Sequence, residues 1–167
     1  SGSNGWSFEY ELGAYELIQV HISFDTGVLI EADSQNAIDD HLTGSSYSDT
    51  LVGNLGDDFL EGMTGDDLLV GGEGADTLLG GNDHDTIHGS DGNDILQGEN
   101  GRDSLNGGAG NDFIDGGNWH DTLFGGGGDD TLLGGAGNDL IDPGQGSGYV
   151  AGGQGQDTLS FTDSDVG

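Results

Sequence analysis

An aliphatic residue recurs every nine positions along most of the chain: Leu51, Leu60, Leu69, Leu78, Ile87, Leu96, Leu105, Ile114, Leu123, Leu132, Ile141, Val150 and Leu159. Each sits at the centre of a triplet, and the six residues between successive triplets follow Gly-Gly-x-Gly-x-Asp. A triplet of this kind has the period-two pattern of a short strand whose middle side chain points inward. The glycines allow positive φ and close backbone approach, so the six-residue stretch reads as a turn. In this frame residues 44–160 divide into thirteen consecutive units with no insertion or deletion. Two units make a coil of about 18 residues, with a strand on each face and a turn on each edge. Coils stacked about 4.8 Å apart place equivalent residues in columns. The pattern predicts an all-β parallel solenoid.

The first 43 residues carry a different pattern. Trp6, Phe8, Tyr10 and Leu12 alternate with polar residues, as do Ile18, Val20, Ile22 and Phe24 after Gly13. These predict half-buried strands. A turn at Asp25-Thr26-Gly27 leads to a third strand at 28–31, and residues 33–43 form an entry segment in which Asp40-His41-Leu42 echoes the repeat. Solenoid ends need covering, so residues 1–43 are expected to be a small antiparallel β cap, with the edge of an upstream domain as the rival reading. Residues 161–167 are a short tail.

The sixth position of the unit carries the chemistry. It is Asp49, Asp58, Asp67, Asp76, Asp85, Asp94, Asp103, Asp112, Asp121, Asp130, Asp139 and Asp157, with Gly148 the one departure. Stacking aligns Asp49, Asp67, Asp85, Asp103, Asp121, Asp139 and Asp157 on one edge and Asp58, Asp76, Asp94, Asp112 and Asp130 on the other. Carboxylates so close repel unless a cation lies between them. Hard oxygen ligands with no regular Cys or His select Ca²⁺ over zinc or copper, and a flexible carbonyl-lined turn suits Mg²⁺ poorly. Ten neighbouring Asp pairs, six on one edge and four on the other, lead to an expectation of about ten ions.

The nonapeptide resembles that of the repeats-in-toxin (RTX) family over residues 44–160. The resemblance implies a right-handed parallel β-roll. It also implies that each ion takes the Asp and the carbonyls of positions two and four from one turn, with the Asp and the carbonyls of positions one and three from the next coil. On this chain one such set is Gly72, Gly74 and Asp76 with Gly89, Asp91 and Asp94. Gly108, Gly110, Gly126 and Gly128 are further carbonyl donors of the same kind. The family implies type I secretion, with folding outside the cell, and this chain is expected to be a fragment of a longer exported protein.

Departures from the repeat are informative. Position four is Tyr47, Asp83 and Trp119 on one edge, and a left-handed backbone is costly for Trp119. Pro143 and Gly148 on the other edge predict a weak or empty site beside Asp130. A net charge of -31 on 167 residues with 31% apolar residues resembles a disordered chain. A strict nine-residue phase argues against a plain acidic linker, and one proline without glycine at every third position excludes collagen. Thirteen inward aliphatics are too few to offset the ordering cost, so the metal-free roll is expected to be unfolded.

The expected partners are calcium, a linked domain of the parent protein and an anionic polysaccharide, with no nucleic acid. No apolar run is long enough for a signal peptide or a membrane span. Catalysis is not expected, because the position-six carboxylates are committed to metal and the five histidines form no triad. His84, Arg102 and His120 share position five in successive coils and form a less acidic strip suited to a carboxylated ligand. An outward apolar strip of Phe59, Leu79, Ile95, Phe113, Leu133 and Tyr149 marks a contact face, expected to lie partly under the N-terminal strands. Two roles follow: an export and folding module for a linked domain, or a polysaccharide-binding module working through Arg102 or the aromatic strip.

Overall fold

The structure, a computed structural model, describes residues 6–11, 17–23, 27–32, 34 and 37–161. The expected features at Leu12, Gly13, Phe24, Asp25 and Thr26, part of the entry segment, and the tail beyond Phe161 lie outside the described residues. Everything described is strand or turn. Among the described residues no helix is long and apolar enough to cross a membrane.

Three N-terminal strands, β1 (Trp6–Glu11), β2 (Leu17–Ser23) and β3 (Gly27–Glu31), are followed by β4 (His41–Thr43). The repeats then supply β5 (Thr50–Leu55), β6 (Phe59–Thr64), β7 (Leu68–Glu73), β8 (Thr77–Asn82), β9 (Thr86–Asp91), β10 (Ile95–Asn100) and β11 (Ser104–Ala109). After these come β12 (Phe113–Asp115), β13 (Thr122–Gly127), β14 (Thr131–Ala136), β15 (Leu140–Asp142), β16 (Tyr149–Gln154) and β17 (Thr158–Leu159). Consecutive repeat strands alternate between two sheets, in the order β5-β7-β9-β11-β13-β15-β17 in one and β4-β6-β8-β10-β12-β14-β16 in the other. All these pairings are parallel, with an 18-residue register such as Leu69↔Ile87 and Leu78↔Leu96. This is the parallel β-roll predicted from the nine-residue period.

Most strands are twice as long as the aliphatic triplet predicts. They run on through positions one to three of the next unit, so Val70↔His88 is followed by Gly72↔Ser90 and Glu73↔Asp91. The turn shrinks to positions four to six. The extra half of the strand also buries its inward residue, since β7 alternates exposed, buried, half-buried, buried over Leu68–Gly71. Position one therefore faces the interior as a glycine without side chain, and the space it leaves belongs to the Asp described below.

Strands β12 and β15 keep only the triplet, and each ends on an Asp at position nine. The Asp142 carboxylate accepts the Gly144 amide two residues on, at 3.1 Å, and Asp115 makes the same contact with Gly117. Such Asx turns compete with the ladder and curl the chain out of it.

The core is one aliphatic column per sheet. Leu51 to Ile141 are all 0% exposed, and Leu42 of β4 is 2% exposed. Leu42 pairs with Leu60 in the same 18-residue register, so the repeat phase extends one unit toward the N-terminus of Gly44. In the other sheet Ile30 of β3 pairs with Leu51 and packs against the column. At the far end the column opens, with Leu159 47% exposed.

β1, β2 and β3 pair antiparallel, with Phe8↔Val20 and Val20↔Ile30 in register. β3 then pairs parallel with β5, so the three strands prolong the edge of the first sheet. The expectation that they lie over the apolar strip of the second sheet is not met. Edge hydrogen bonding to β5 directs them along the sheet plane, and Ile95 and Tyr149 remain 43% and 61% exposed.

Candidate metal centres

The position-six Asp residues, Asp130 and Asp157 apart, are each tied to the next coil. The backbone amide donates to the carboxylate of the equivalent Asp 18 residues on, as in Asp49 to Asp67 Oδ1 at 2.7 Å, Asp76 to Asp94 Oδ1 at 2.8 Å and Asp103 to Asp121 Oδ1 at 2.9 Å. The ladder continues to Asp139, whose amide donates to Asp157 Oδ1 at 3.1 Å. It begins earlier than Asp49, because the Asp40 amide donates to Asp58 Oδ1 at 2.7 Å. Asp40 is not among the site residues expected from the sequence, although Asp40-His41-Leu42 echoes the repeat. Its signal was the 18-residue spacing to Asp58.

One carboxylate oxygen is thereby satisfied and the other is not. Oδ2 of Asp58, Asp67, Asp76, Asp85, Asp94, Asp103, Asp112, Asp121, Asp130 and Asp139 is buried with no hydrogen-bond partner. These residues are 1–3% exposed. Buried polar atoms are nearly always paired, so ten orphans in two regular columns require a common explanation.

The glycine at position one shows what each orphan faces. A β-carbon added to Gly71 would lie 2.2 Å from Asp76 Oδ2 and 2.8 Å from the Gly89 carbonyl oxygen. At Gly107 the same point is 2.2 Å from Asp112 Oδ2 and 2.7 Å from the Gly125 oxygen, and at Gly89 it is 2.4 Å from Asp94 Oδ2 and 2.5 Å from the Gly107 oxygen. Two oxygens from successive coils thus converge beside the same glycine and leave no room for a side chain there. Among the described residues no three His, Cys, Asp or Glu side chains cluster as a metal site. A cation here would depend on paired carboxylates completed by backbone carbonyls, a hard-oxygen set that suits calcium.

The other carbonyl positions are oriented by left-handed backbone. Gly72, Gly74, Gly108, Gly110, Gly126 and Gly128 have φ of 128°, 140°, 109°, 135°, 103° and 133°. Their columns are tight: a β-carbon on Gly110 would meet the Gly92 carbonyl oxygen at 1.5 Å, and one on Gly128 the Gly110 oxygen at 1.8 Å. The Asp91 carbonyl accepts the Gly74 amide at 2.9 Å, which occupies one of its two lone pairs. Asp49 differs from the interior sites, since its Oδ2 accepts the Ser45 amide. Asp157 is half-buried at the open end. Beside Asp130, Gly148 supplies no carboxylate, yet Asp130 Oδ2 and the Pro143 oxygen still converge 2.5 and 2.4 Å from the Gly125 β-position.

Burial raises the pKa values of the columns. Desolvation, reinforced by neighbouring carboxylates and opposed by the amide from the preceding coil, pushes Asp67, Asp76 and Asp103 up to about 7. Desolvation likewise leads the rise of Asp85, Asp112 and Asp121 to about 6. Asp58, Asp94, Asp130 and Asp139 shift in the same direction for the same leading reason.

A second ladder, not foreseen from the sequence, runs the opposite way through position five. Asp57 Oδ1 accepts the Ala75 amide at 2.7 Å, and Asn93 and Asn111 accept those of Asn111 and Asp129 at 2.7 Å each. On the other edge His84 Nδ1 accepts the Arg102 amide at 3.0 Å and His120 Nδ1 the Asn138 amide at 2.8 Å. The frequency of Asp, Asn and His at position five was the available signal.

A family model described as the RTX calcium-binding nonapeptide repeat (4 copies) matches residues 36–69, 52–87, 61–96, 88–118 and 120–150. The chain belongs to the RTX calcium-binding repeat family. Comparison with curated proteins yields no match. The first matched segment of this RTX chain starts at residue 36, in agreement with a ladder that begins at Asp40.

Proposed function

We propose that this RTX roll binds about ten calcium ions between successive turns, through the position-six Asp carboxylates and the carbonyls of the adjoining glycines. The observation that carries the reading is the set of ten buried, unpartnered Oδ2 atoms, each facing glycine-shaped space and nine of them, all but that of Asp85, also facing a carbonyl from the next coil. Calcium charges would relieve carboxylate repulsion within each column and offset about two thirds of the net -31. Folding and binding are then one event. In this reading the module leaves the cell unfolded, folds where calcium is plentiful, and supports the folding and stability of a linked domain; binding rather than catalysis is its role. Support for the export step is the family resemblance.

Titration calorimetry together with circular dichroism tests the calcium reading. The metal-free chain at neutral pH should lack the β spectrum, and calcium should restore it cooperatively with about ten ions bound. A stoichiometry of two or three, or a full β spectrum in chelator at neutral pH, would refute it.

A further inference from the structure

The turn at 143–148 breaks the repeat at two positions, and the two breaks belong together. Elsewhere the β-position of residue one falls on the carboxylate of its own unit, 2.2 Å from Asp112 Oδ2 at Gly107 and 2.6 Å from Asp139 Oδ2 at Gly134. A side chain at position one and an Asp at position six therefore exclude each other. Pro143 carries its ring there because Gly148 carries no carboxylate. Despite both changes the turn stays seated on the coil before it. The Gln145 amide donates to the Gly126 oxygen at 2.7 Å, the Gln145 oxygen accepts the Gly128 amide at 2.9 Å, and the Asp130 oxygen accepts the Tyr149 amide at 2.7 Å.

Half of a metal site is thus in place, and the half that position 148 would supply is open. Asp130 is 1% exposed and its Oδ2 has no hydrogen-bond partner, while the Pro143 oxygen converges with it beside Gly125. The acids nearest in sequence are held by backbone: Asp129 Oδ1 accepts the Ser147 amide at 2.7 Å and Asp142 Oδ1 the Gly144 amide at 3.1 Å. Gly148 is exposed and lines a cavity of about 320 Å³ whose other walls include Pro143, Ser147, Val150, Leu159 and Phe161. No residue lining it is charged. Val150 and Leu159 are the last aliphatics of the two sheets, so the cavity lies at the open end of the core, where Leu159 is 47% and Phe161 70% exposed.

We propose that the Asp130 turn holds one further calcium ion with a coordination position open on the Gly148 side, and that a monocarboxylate with an apolar tail binds there, its head on the ion and its tail along Val150, Leu159 and Phe161. Calcium takes about six to eight oxygen ligands, so the missing Asp leaves room for an incoming oxygen. An ion resting on Asp130 alone is also less neutralised than one between two carboxylates, and attracts an anion more strongly. The uncharged walls offer a ligand no second ionic contact, whereas an apolar tail buries surface against them. The inference rests on the calcium reading above.

The test is calorimetry with octanoate in saturating calcium, with calcium titrations of each protein followed by circular dichroism. Wild type should bind octanoate, while propionate and octanol, which each keep one part of the contact, should bind about tenfold more weakly or worse. Pro143→Gly combined with Gly148→Asp separates recognition from folding. It restores the repeat and fills the open position, so the calcium midpoint of folding should stay level or fall while octanoate affinity drops about tenfold or more. Phe161→Ser, at an exposed residue, should weaken octanoate and leave propionate unchanged. A calcium-folded wild type that does not bind octanoate, octanol that binds as tightly, or variants that bind octanoate as wild type does would overturn the proposal and leave the calcium reading standing. A wild type that calcium neither binds nor folds would overturn the calcium reading and this proposal with it.

Discussion

At the scale of single residues, the roll is governed by where a side chain cannot go. Gly110, with φ of 135°, has the Gly92 carbonyl oxygen 1.5 Å from its β-position, whereas Gly127 has nothing within 4 Å of its own. Gly110→Ala should therefore cost more than about 2 kcal/mol and raise the calcium midpoint, because the methyl group strikes an oxygen assigned to the metal. Gly127→Ala should be nearly neutral. Calcium titrations followed by circular dichroism check both, and equal midpoints for the pair would show that the column tolerates a side chain. The sequence foretold left-handed backbone at Asp83 and Trp119, with observed φ of 79° and 83°. It did not foretell the same at Asn54, Met63, Ser90 and Glu99, all at position two. A departure at position two still leaves glycine at position one, so the unit looks intact in the sequence. The glycine consensus at position two already implies positive φ there, and the stacked backbone shows that Asn54, Met63, Ser90 and Glu99 adopt it without glycine.

At the scale of elements, a strand extends as far as nothing competes for its amides. The nine-residue period made the aliphatic triplets legible. The strand's second half was hidden, since Gly-Gly-x has turn composition yet pairs in register once coils stack. Asp115 ends β12 after three residues by taking the Gly117 amide, while the paired strands β10 and β14 run for six. Position nine is Leu133 in the neighbouring coil, a residue that cannot accept that amide. Asp115→Leu should let β12 continue to Asn118, which already forms bridges to Asn100 and Ala136. Hydrogen exchange should then slow at Gly117 and Asn118 in the calcium-loaded protein, with little change in β10. Unaltered exchange would mean that the Asx turn follows the strand end and does not cause it.

At the scale of the whole molecule, buried acid and net charge set one pH response in the metal-free protein and the opposite one in the calcium-loaded protein. Desolvation, then neighbouring carboxylates, hold Asp67, Asp76 and Asp103 near 7 and Asp85, Asp112 and Asp121 near 6 in the folded roll, against a reference of 3.8. A pKa raised by folding means that the folded state binds protons more tightly than the unfolded one. Its contribution to stability is complete below pH 3.8 and is lost as pH climbs through 6 to 7. The same protons lower the charge of -31 that opposes compaction. Without calcium, therefore, acidification from neutrality toward pH 4 should move the chain toward β structure. Calcium binding needs the ionised carboxylates, so in its presence the midpoint should shift to higher calcium as pH falls from 7 to 5. Circular dichroism of decalcified protein across this range, with parallel calcium titrations at each pH, separates the two effects. A metal-free β signal that grows with rising pH, or a calcium midpoint that improves on acidification, would mean that the Asp columns are not the groups coupling protons, calcium and folding.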